Sequence, residues 1–272
     1  MRSHEPTPTL EFRRPTTGEE LIRFEHLKKA FGPKRVYDDL DLTVRAGETL
    51  VVIGGSGTGK SVLLKCLIGL LYPDAGRILF QGQDLTRFHE EDFFAVRRHV
   101  AMVFQGAALF DSLTVGENVA YPLREHFPEL SPQEISRRVA EKLAWVNLPG
   151  TEGMMPADLS GGMRKRVGLA RAIATDPEVI LWDEPTTGLD PITTTNVNAM
   201  INSMKQRLGC TSIVVTHDML SAFAVADRIA MLANRRIVQV GTPDEMRRST
   251  VPEVRAFMDA RRGEMEGMEV AS

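Results

Sequence analysis

Residues 54–61, with the sequence GGSGTGKS, constrain the fold of this chain more than any other stretch. They follow an apolar run at residues 50–53 that is typical of a buried strand, and they precede an apolar segment at residues 62–69 that is typical of a helix. A glycine-rich turn between a strand and a helix directs backbone N–H groups at an anion, and the positive end of the helix dipole adds to them. The pattern predicts a phosphate-binding loop in an α/β fold.

The two residues that close this loop favour a nucleotide accompanied by a metal ion. Lys60 is placed to reach the β- and γ-phosphates, and the Ser61 hydroxyl is placed to ligate Mg²⁺. An ordinary glycine-rich turn explains the glycines but not the Lys-Ser pair after them. The loop residues predicted to bind the phosphates are Gly54, Gly55, Ser56, Gly57, Thr58, Gly59, Lys60 and Ser61.

Composition restricts the partners of the chain. With 272 residues and 43% hydrophobic side chains it can bury a large core, and a formal net charge of −3 gives no general attraction for nucleic acid or an anionic membrane. Cys66 and Cys210 lie in apolar segments without metal-ligand spacing, so we expect small buried hydrophobes. No apolar run reaches the roughly 18 residues that span a bilayer, and the first 18 residues lack the apolar centre of a signal peptide. We expect a soluble, cytoplasmic protein.

Polar side chains follow three predicted strands at the point where each strand ends. Gln105 follows residues 100–104, Asp183 and Glu184 close residues 179–182, and His217 follows residues 212–216. The carboxyl ends of parallel strands face the crevice in which α/β sheets bind ligands. Asp183 is then a Mg²⁺ ligand, Glu184 orients a water near the γ-phosphate, and His217 makes a hydrogen bond to that phosphate. The alternatives are a surface glutamine, two solubilising acids and a structural histidine.

A second phosphate-facing surface is predicted at the helix that Ser160 begins. Ser160 suits the N-cap position, and Arg164, Lys165 and Arg166 follow in the first turns. Cations near a helix N-terminus oppose the helix dipole unless an anion lies nearby. The alternative is that these three side chains point into solvent and are screened.

The remaining segments suggest a domain organisation. We expect a mobile leader at residues 1–20, one α/β domain at 21–245 with a helical subdomain at about 106–160, and a C-terminal helical tail at 246–272. Phe31 precedes a Gly-Pro turn, where it either stacks on a purine ring or packs in the core. The apolar loop at Leu109 and Phe110 either docks a partner or folds onto its own helices.

The order of these motifs, over about residues 21–241, resembles the ATP-binding-cassette (ABC) ATPases. GGSGTGKS resembles the Walker A loop, LSGGM the family signature, VILWDE the Walker B strand and TGLD the D-loop; Gln105, His217 and Phe31 match the Q-loop, switch and A-loop positions. The resemblance implies a P-loop NTPase of the ABC type. Such a fold has a RecA-like mixed-sheet core, an antiparallel β-subdomain and a helical subdomain.

The resemblance also implies a reaction and a homodimer. Two subunits enclose two ATP molecules, so each nucleotide also meets Ser160, Gly161, Gly162 and Asp190 of the partner subunit. Glu184, His217 and Gln105 are implied as catalytic residues, and Ser61, Gln105 and Asp183 as metal ligands. Phe31, Val62, Gln105 and Asp183 are added to the nucleotide-binding residues of the loop.

Within the family, the chain looks most like the ATPases of Mla/Mce-type phospholipid transport systems. Met163 replaces the usual glutamine of the signature and Val62 replaces a common threonine, as in that group. The implied partners are an MlaE-like permease, an Mce-domain (MlaD-like) protein and a STAS-domain (MlaB-like) subunit, with no nucleic acid. The ATPase would then lie on the cytoplasmic face of the inner membrane and contact the membrane only through the permease. The alternatives are transport of another cargo, such as an amino acid or lipoprotein, and a non-transport ATPase acting on DNA or ribosomes.

Overall fold

The computed structural model describes residues 12–260, which form two sheets and a set of helices. The strands are β1 (Glu20–Phe31), β2 (Lys34–Arg45), β3 (Thr49–Ile53), β4 (Ala75–Phe80), β5 (Gln83–Asp84), β6 (Val100–Val103), β7 (Val179–Asp183), β8 (Thr211–Thr216), β9 (Arg228–Ala233) and β10 (Arg236–Gly241). The helices are α1 (Lys60–Leu67), α2 (Glu90–His99), α3 (Val115–His126), α4 (Pro132–Trp145), α5 (Gly161–Ala172), α6 (Pro191–Leu208), α7 (Met219–Val225), α8 (Pro243–Arg247) and α9 (Pro252–Ala260).

The apolar run before the phosphate loop becomes β3, inside a six-stranded sheet of order β10-β9-β3-β8-β7-β6. All its pairings are parallel except that of β9 with β10. Side chains alternate between the faces of a strand, so Leu50 and Val52 enter one core, the first core, while Val51 and Ile53 enter the second core on the other face. Because a core covers each face of the sheet, the sequences of its parallel strands are continuous apolar runs without alternating polar residues.

The second sheet is antiparallel and has the order β2-β1-β4-β5. The predicted turn at Gly32 and Pro33 joins β1 to β2, and Phe31 is the last residue of β1. This sheet packs on the first core through buried residues such as Phe24 and Leu40. Together the two sheets and the helices confirm the predicted fold class.

Helices α3 and α4 pack against each other and against α5, in the region predicted to be helical. Ser131 caps α4, where its hydroxyl accepts a hydrogen bond from the Glu134 N–H at 3.2 Å, and Pro132 is the first helical residue. Pro122 lies inside α3, which continues to His126. Within residues 12–260, no helix has both the length and the apolar character required to cross a membrane.

The two ends of the described chain pack on this domain. The first eleven residues of the predicted leader lie outside the described residues, but the Phe12 ring contacts the Phe80 ring, with centroids 4.8 Å apart, and β1 already begins at Glu20. The C-terminal part of the predicted leader, from Phe12 onward, therefore contacts the domain through the Phe12 ring. In the predicted tail, Val254 of α9 is buried in the second core; residues 261–272 lie outside the described residues.

Candidate functional site

The phosphate loop lies between β3 and α1, and its geometry requires glycine where the helix begins. Gly59 is the N-cap of α1 and has φ +107°. A Cβ atom there would lie 2.2 Å from Cγ1 of Val36, and the hydroxyl of buried Tyr37 donates a hydrogen bond of 2.5 Å to the Gly59 carbonyl. Strand β2 therefore presses directly against the loop and fixes its shape.

Lys60 is a buried cation on the inner side of this loop, with 6% of its surface exposed. Its ammonium donates to the carbonyls of Gly54 at 3.0 Å and Gly55 at 3.1 Å, and lies 3.6 Å from Oε1 of Glu184. The loop therefore combines backbone N–H groups at a helix N-terminus with a fixed positive charge. That combination suits phosphate oxygens.

The ends of β7 and β8 bring three predicted residues together beside the loop. The Ser61 hydroxyl donates to Oδ1 of Asp183 at 2.5 Å, which joins α1 to β7. Nδ1 of His217 lies 2.8 Å from Oε2 of Glu184. An ionised carboxylate only accepts hydrogen bonds, so the proton of this contact belongs to Nδ1, and Nε2 of His217 is left for another partner.

The oxygen atoms around Asp183 fit a magnesium ion. Asp183 is only 8% exposed, and within residues 12–260 it has no cationic side chain within 4.0 Å. A buried carboxylate without a counter-charge is costly, and a hydroxyl plus a carboxylate are the hard oxygen ligands that Mg²⁺ takes. The donor set at Ser61 and Asp183 therefore matches the predicted ion.

These groups surround one cavity of about 410 Å³. Most of the residues predicted to contact the nucleotide within one subunit line it, among them Phe31, Ser56, Gly57, Gly59, Lys60, Ser61, Val62, Gln105, Glu184 and His217. Phe31 is 45% exposed at its rim, so its ring is available for stacking. Gly54, Gly55 and Thr58 lie in the loop just behind this surface.

The signature residues lie elsewhere in the same chain. Ser160 caps α5, with its hydroxyl accepting from the Met163 N–H at 3.2 Å, and Gly161 follows it on the surface. Ser160 and Gly162 line a separate cleft of about 630 Å³ between α5 and α6. Asp190 caps α6 and is exposed, and the Thr193 hydroxyl that donates to it lowers the pKa of its carboxyl. The structure therefore does not bring this set to the loop of its own subunit.

The sequence analysis did not predict every residue that forms or supports the cavity. Lys34 and Thr187 line it, and Tyr37 ties the loop to β2 from behind. Lys34 comes three positions after Phe31, directly after the Gly-Pro turn. Thr187 lies between Glu184 and Asp190 of the D-loop motif. Their proximity to recognised motifs was the available signal, but contact between β2 and the loop is a property of the tertiary structure.

Comparison with known proteins gives a consistent result. The ABC transporter family matches residues 37–187. The "Probable ribonucleotide transport ATP-binding protein mkl" of Mycobacterium tuberculosis (strain ATCC 25618 / H37Rv) is 42% identical over 89% of this chain and 67% of its own length. The "Intermembrane phospholipid transport system ATP-binding protein MlaF" of Haemophilus influenzae is 39% identical over 92% of this chain and 93% of its own length.

Solved structures agree with these relatives. A dimeric, post-hydrolysis state of the ATP-binding cassette MJ0796, bound to ADP and Pi, superposes with a TM-score of 0.75 at 28% identity. The match covers 82% of this chain and 98% of that one. The family match spans more than half of the chain, and the phosphate loop, Glu184 and His217 line one cavity, with Asp183 hydrogen-bonded to Ser61 beside it. The chain therefore belongs to the ABC transporter family and is an ATPase of that family.

Proposed function

We propose that this ATPase powers a membrane permease that transports phospholipid. The observation that carries the ATPase part is that Lys60, Glu184 and His217 line one cavity. Asp183 lies beside it, hydrogen-bonded to the lining residue Ser61. The cargo rests on the MlaF relative, which is named for intermembrane phospholipid transport and matches this chain along nearly its whole length. The mycobacterial relative is named for ribonucleotide transport, which makes that cargo the second candidate.

The cavity supports a division of roles around ATP. Phe31 stacks on the adenine ring, and the loop N–H groups together with Lys60 hold the phosphates. Ser61, Asp183 and Gln105 would hold Mg²⁺, which neutralises charge on the β- and γ-phosphates. Glu184 orients the attacking water and accepts its proton, while Nε2 of His217 is directed at the γ-phosphate.

A dimer supplies the groups that one subunit lacks. The similar cassette MJ0796 is dimeric with ADP and Pi. In the proposed dimer, Ser160, Gly161, Gly162 and Asp190 of the partner subunit close over the nucleotide. This arrangement places an anion at the N-terminus of α5, where Arg164, Lys165 and Arg166 otherwise oppose the helix dipole.

An aromatic surface supports docking of a permease. Phe110 is 42% exposed, and its ring lies 4.9 Å from that of Tyr121 on α3. Exposed Phe94 on α2 contacts His126, the last residue of α3, with ring centroids 4.6 Å apart. Exposed aromatic and apolar side chains that group on a surface are typical of an interaction site. Through it the subunit would lie on the cytoplasmic face of the inner membrane, beside an MlaE-like permease with Mce-domain and STAS-domain partners.

The Glu184→Gln variant tests the catalytic assignment. It removes the general base but keeps the size of the side chain, so ATP binding should remain while turnover falls by at least about a hundredfold. Steady-state phosphate release measures turnover, and size-exclusion chromatography with MgATP should show a trapped dimer. Glu91→Gln, at an exposed position of α2, is the matched control. Wild-type turnover in Glu184→Gln would remove Glu184 from the reaction.

The cargo is tested by purifying the tagged chain from membranes and identifying the proteins and lipids that elute with it. Phospholipid together with a permease and an Mce-domain protein is the expected result. The reconstituted complex should then move labelled phospholipid between vesicles only with hydrolysable ATP. A complex without lipid whose ATPase activity rises with ribonucleotide would favour the second cargo and refute the first.

A further inference from the structure

Glu184 has a backbone conformation that needs support from its neighbours. Its φ is +50°, in the left-handed region that residues with a side chain rarely occupy. It is the first residue after β7, and the loop that follows leads to Asp190 at the start of α6. Strained residues at functional sites persist only where surrounding contacts fix them. The contacts made by this loop therefore decide where the Glu184 carboxylate lies.

Thr187 supplies two of these contacts. Its hydroxyl donates to Oε2 of Glu184 at 3.0 Å, and its backbone N–H donates to the Glu184 carbonyl at 3.3 Å. Nδ1 of His217 contacts the same oxygen at 2.8 Å. Thr187 is half-buried and lines the cavity, and the sequence motifs assign it no role. With one bond to the backbone and one to the side chain, it restricts both the turn and the rotamer of Glu184.

Lys165 in turn holds Thr187. Its ammonium donates to the Thr187 carbonyl at 3.1 Å, and burial lowers the pKa of this lysine. Among residues 12–260, no carboxylate lies within ion-pairing distance of it. The Lys165 side chain is half-buried and its ammonium is hydrogen-bonded to this carbonyl, so it has a defined position, unlike a lysine that extends into solvent. Since Lys165 belongs to α5, the helix that carries Ser160 is linked by two hydrogen bonds to the Glu184 carboxylate.

We propose that Thr187 is a positioning residue for Glu184 and that Lys165 keeps Thr187 in place from the signature helix. This inference rests on the role proposed for Glu184. The Thr187 hydroxyl fixes Oε2 of Glu184, so Oε1, which lies 3.6 Å from the Lys60 ammonium, is the oxygen that faces the attacking water. Loss of that hydroxyl lets the carboxylate rotate away, so hydrolysis slows while the phosphate loop still binds ATP.

Thr187→Val is the first test, because valine keeps the shape of threonine and removes the hydroxyl. We expect kcat for ATP hydrolysis to fall about tenfold, the effect of losing one hydrogen bond to a charged group. KM and the affinity for a fluorescent ATP analogue, measured by equilibrium titration, should stay within about twofold, and Thr187→Ser should restore kcat. Thr43→Val, a half-buried threonine in β2 outside the cavity, is the matched control.

A double-mutant cycle tests the link to α5. Lys165→Met keeps the aliphatic stem but removes the donor, so kcat should fall in the same direction, and Lys165→Arg should recover it. If Lys165 acts through Thr187, the double variant Lys165→Met/Thr187→Val should be no slower than Thr187→Val alone. Additive losses would overturn the role of Lys165.

Other outcomes overturn the positioning role itself. An unchanged kcat in Thr187→Val would mean that His217 alone fixes Glu184. Equal losses in kcat and ATP affinity that Thr187→Ser does not repair would indicate a structural role only. These results are distinct from failure of the proposed function, since Glu184→Gln with wild-type turnover would show that there is no catalytic carboxylate here to position.

Discussion

At the residue scale, close contacts between side chains and backbone decide what the phosphate loop tolerates. Gly59 has no room for a methyl group beside Val36, whereas Gly82 also has a positive φ but faces open space. Met163, which stands where the family usually has glutamine, is half-buried and packs against the second core. Its apolar side chain therefore contributes to packing, which a glutamine at this place would do less well.

Gly59→Ala should damage nucleotide binding by steric conflict. The added methyl forces Val36 and the N-terminus of α1 apart, so affinity for ATP should fall at least about tenfold, and the free energy of unfolding should fall by about 1–3 kcal/mol. Titration with a fluorescent ATP analogue and urea unfolding measure the two effects. Gly82→Ala, with a similar φ and no contact, should cost stability only. Equal ATP affinity in both variants would contradict the geometry of the loop.

At the element scale, local signals explain the helices that sequence reasoning predicted and one that it missed. Ser160 caps α5 as predicted, Asp190 caps α6, and α4 begins at Pro132 after its N-cap Ser131. No element was predicted over residues 81–99, where α2 forms. Its first turn carries Glu90, Glu91 and Asp92 and its last turn carries Arg97, Arg98 and His99, an order that favours a helix through its dipole.

Asn118 of α3 shapes the apolar loop that precedes this helix. Its side-chain amide donates to the carbonyls of Phe110, Leu113 and Thr114 at 3.0–3.1 Å, and its oxygen accepts from the Phe110 N–H at 2.9 Å. Asn118→Ala removes the partner of the Leu113 carbonyl and of the Phe110 N–H, while the other two carbonyls keep backbone N–H donors. The free energy of unfolding should therefore fall by about 2–4 kcal/mol. Urea unfolding measures it, with Asn202→Ala on α6 as control. A loss below about 0.5 kcal/mol would show that the loop does not depend on Asn118.

At the scale of the whole molecule, two cores hold the site and the docking surface in one body. The first core joins the antiparallel sheet to one face of the parallel sheet, and the second joins the helical region to the other face. The cavity lies at the edge where both meet, with Phe31 contributed by the antiparallel sheet and Gln105 by the chain after β6. Gln105 lies where the chain passes from β6 of the parallel sheet to the helical region.

Replacing Leu109 and Phe110 with serine should separate permease docking from catalysis. The exposed aromatic surface would lose its apolar contacts, so the permease should no longer purify with the variant, while the soluble protein keeps its ATPase activity. Affinity purification from membranes followed by immunoblotting measures the association. Ile192→Ser removes an exposed apolar side chain from α6 and should retain the permease. Normal recovery of the permease with the double serine variant would refute the docking surface.

Local sequence was enough to predict the phosphate loop, the strands that lead to Gln105, Asp183 and His217, and the start of α5 at Ser160, because each depends on neighbours along the chain. Strand ends also predicted the convergence of Asp183, Glu184 and His217, since parallel strands share one edge. The contacts of Tyr37 with Gly59 and of Lys165 with Thr187 could not be predicted, because the residues of each pair are 22 positions apart and meet through the packing of different elements. The order of the strands in each sheet and the burial of Met163 also could not be predicted, because local sequence patterns do not specify which elements pack together.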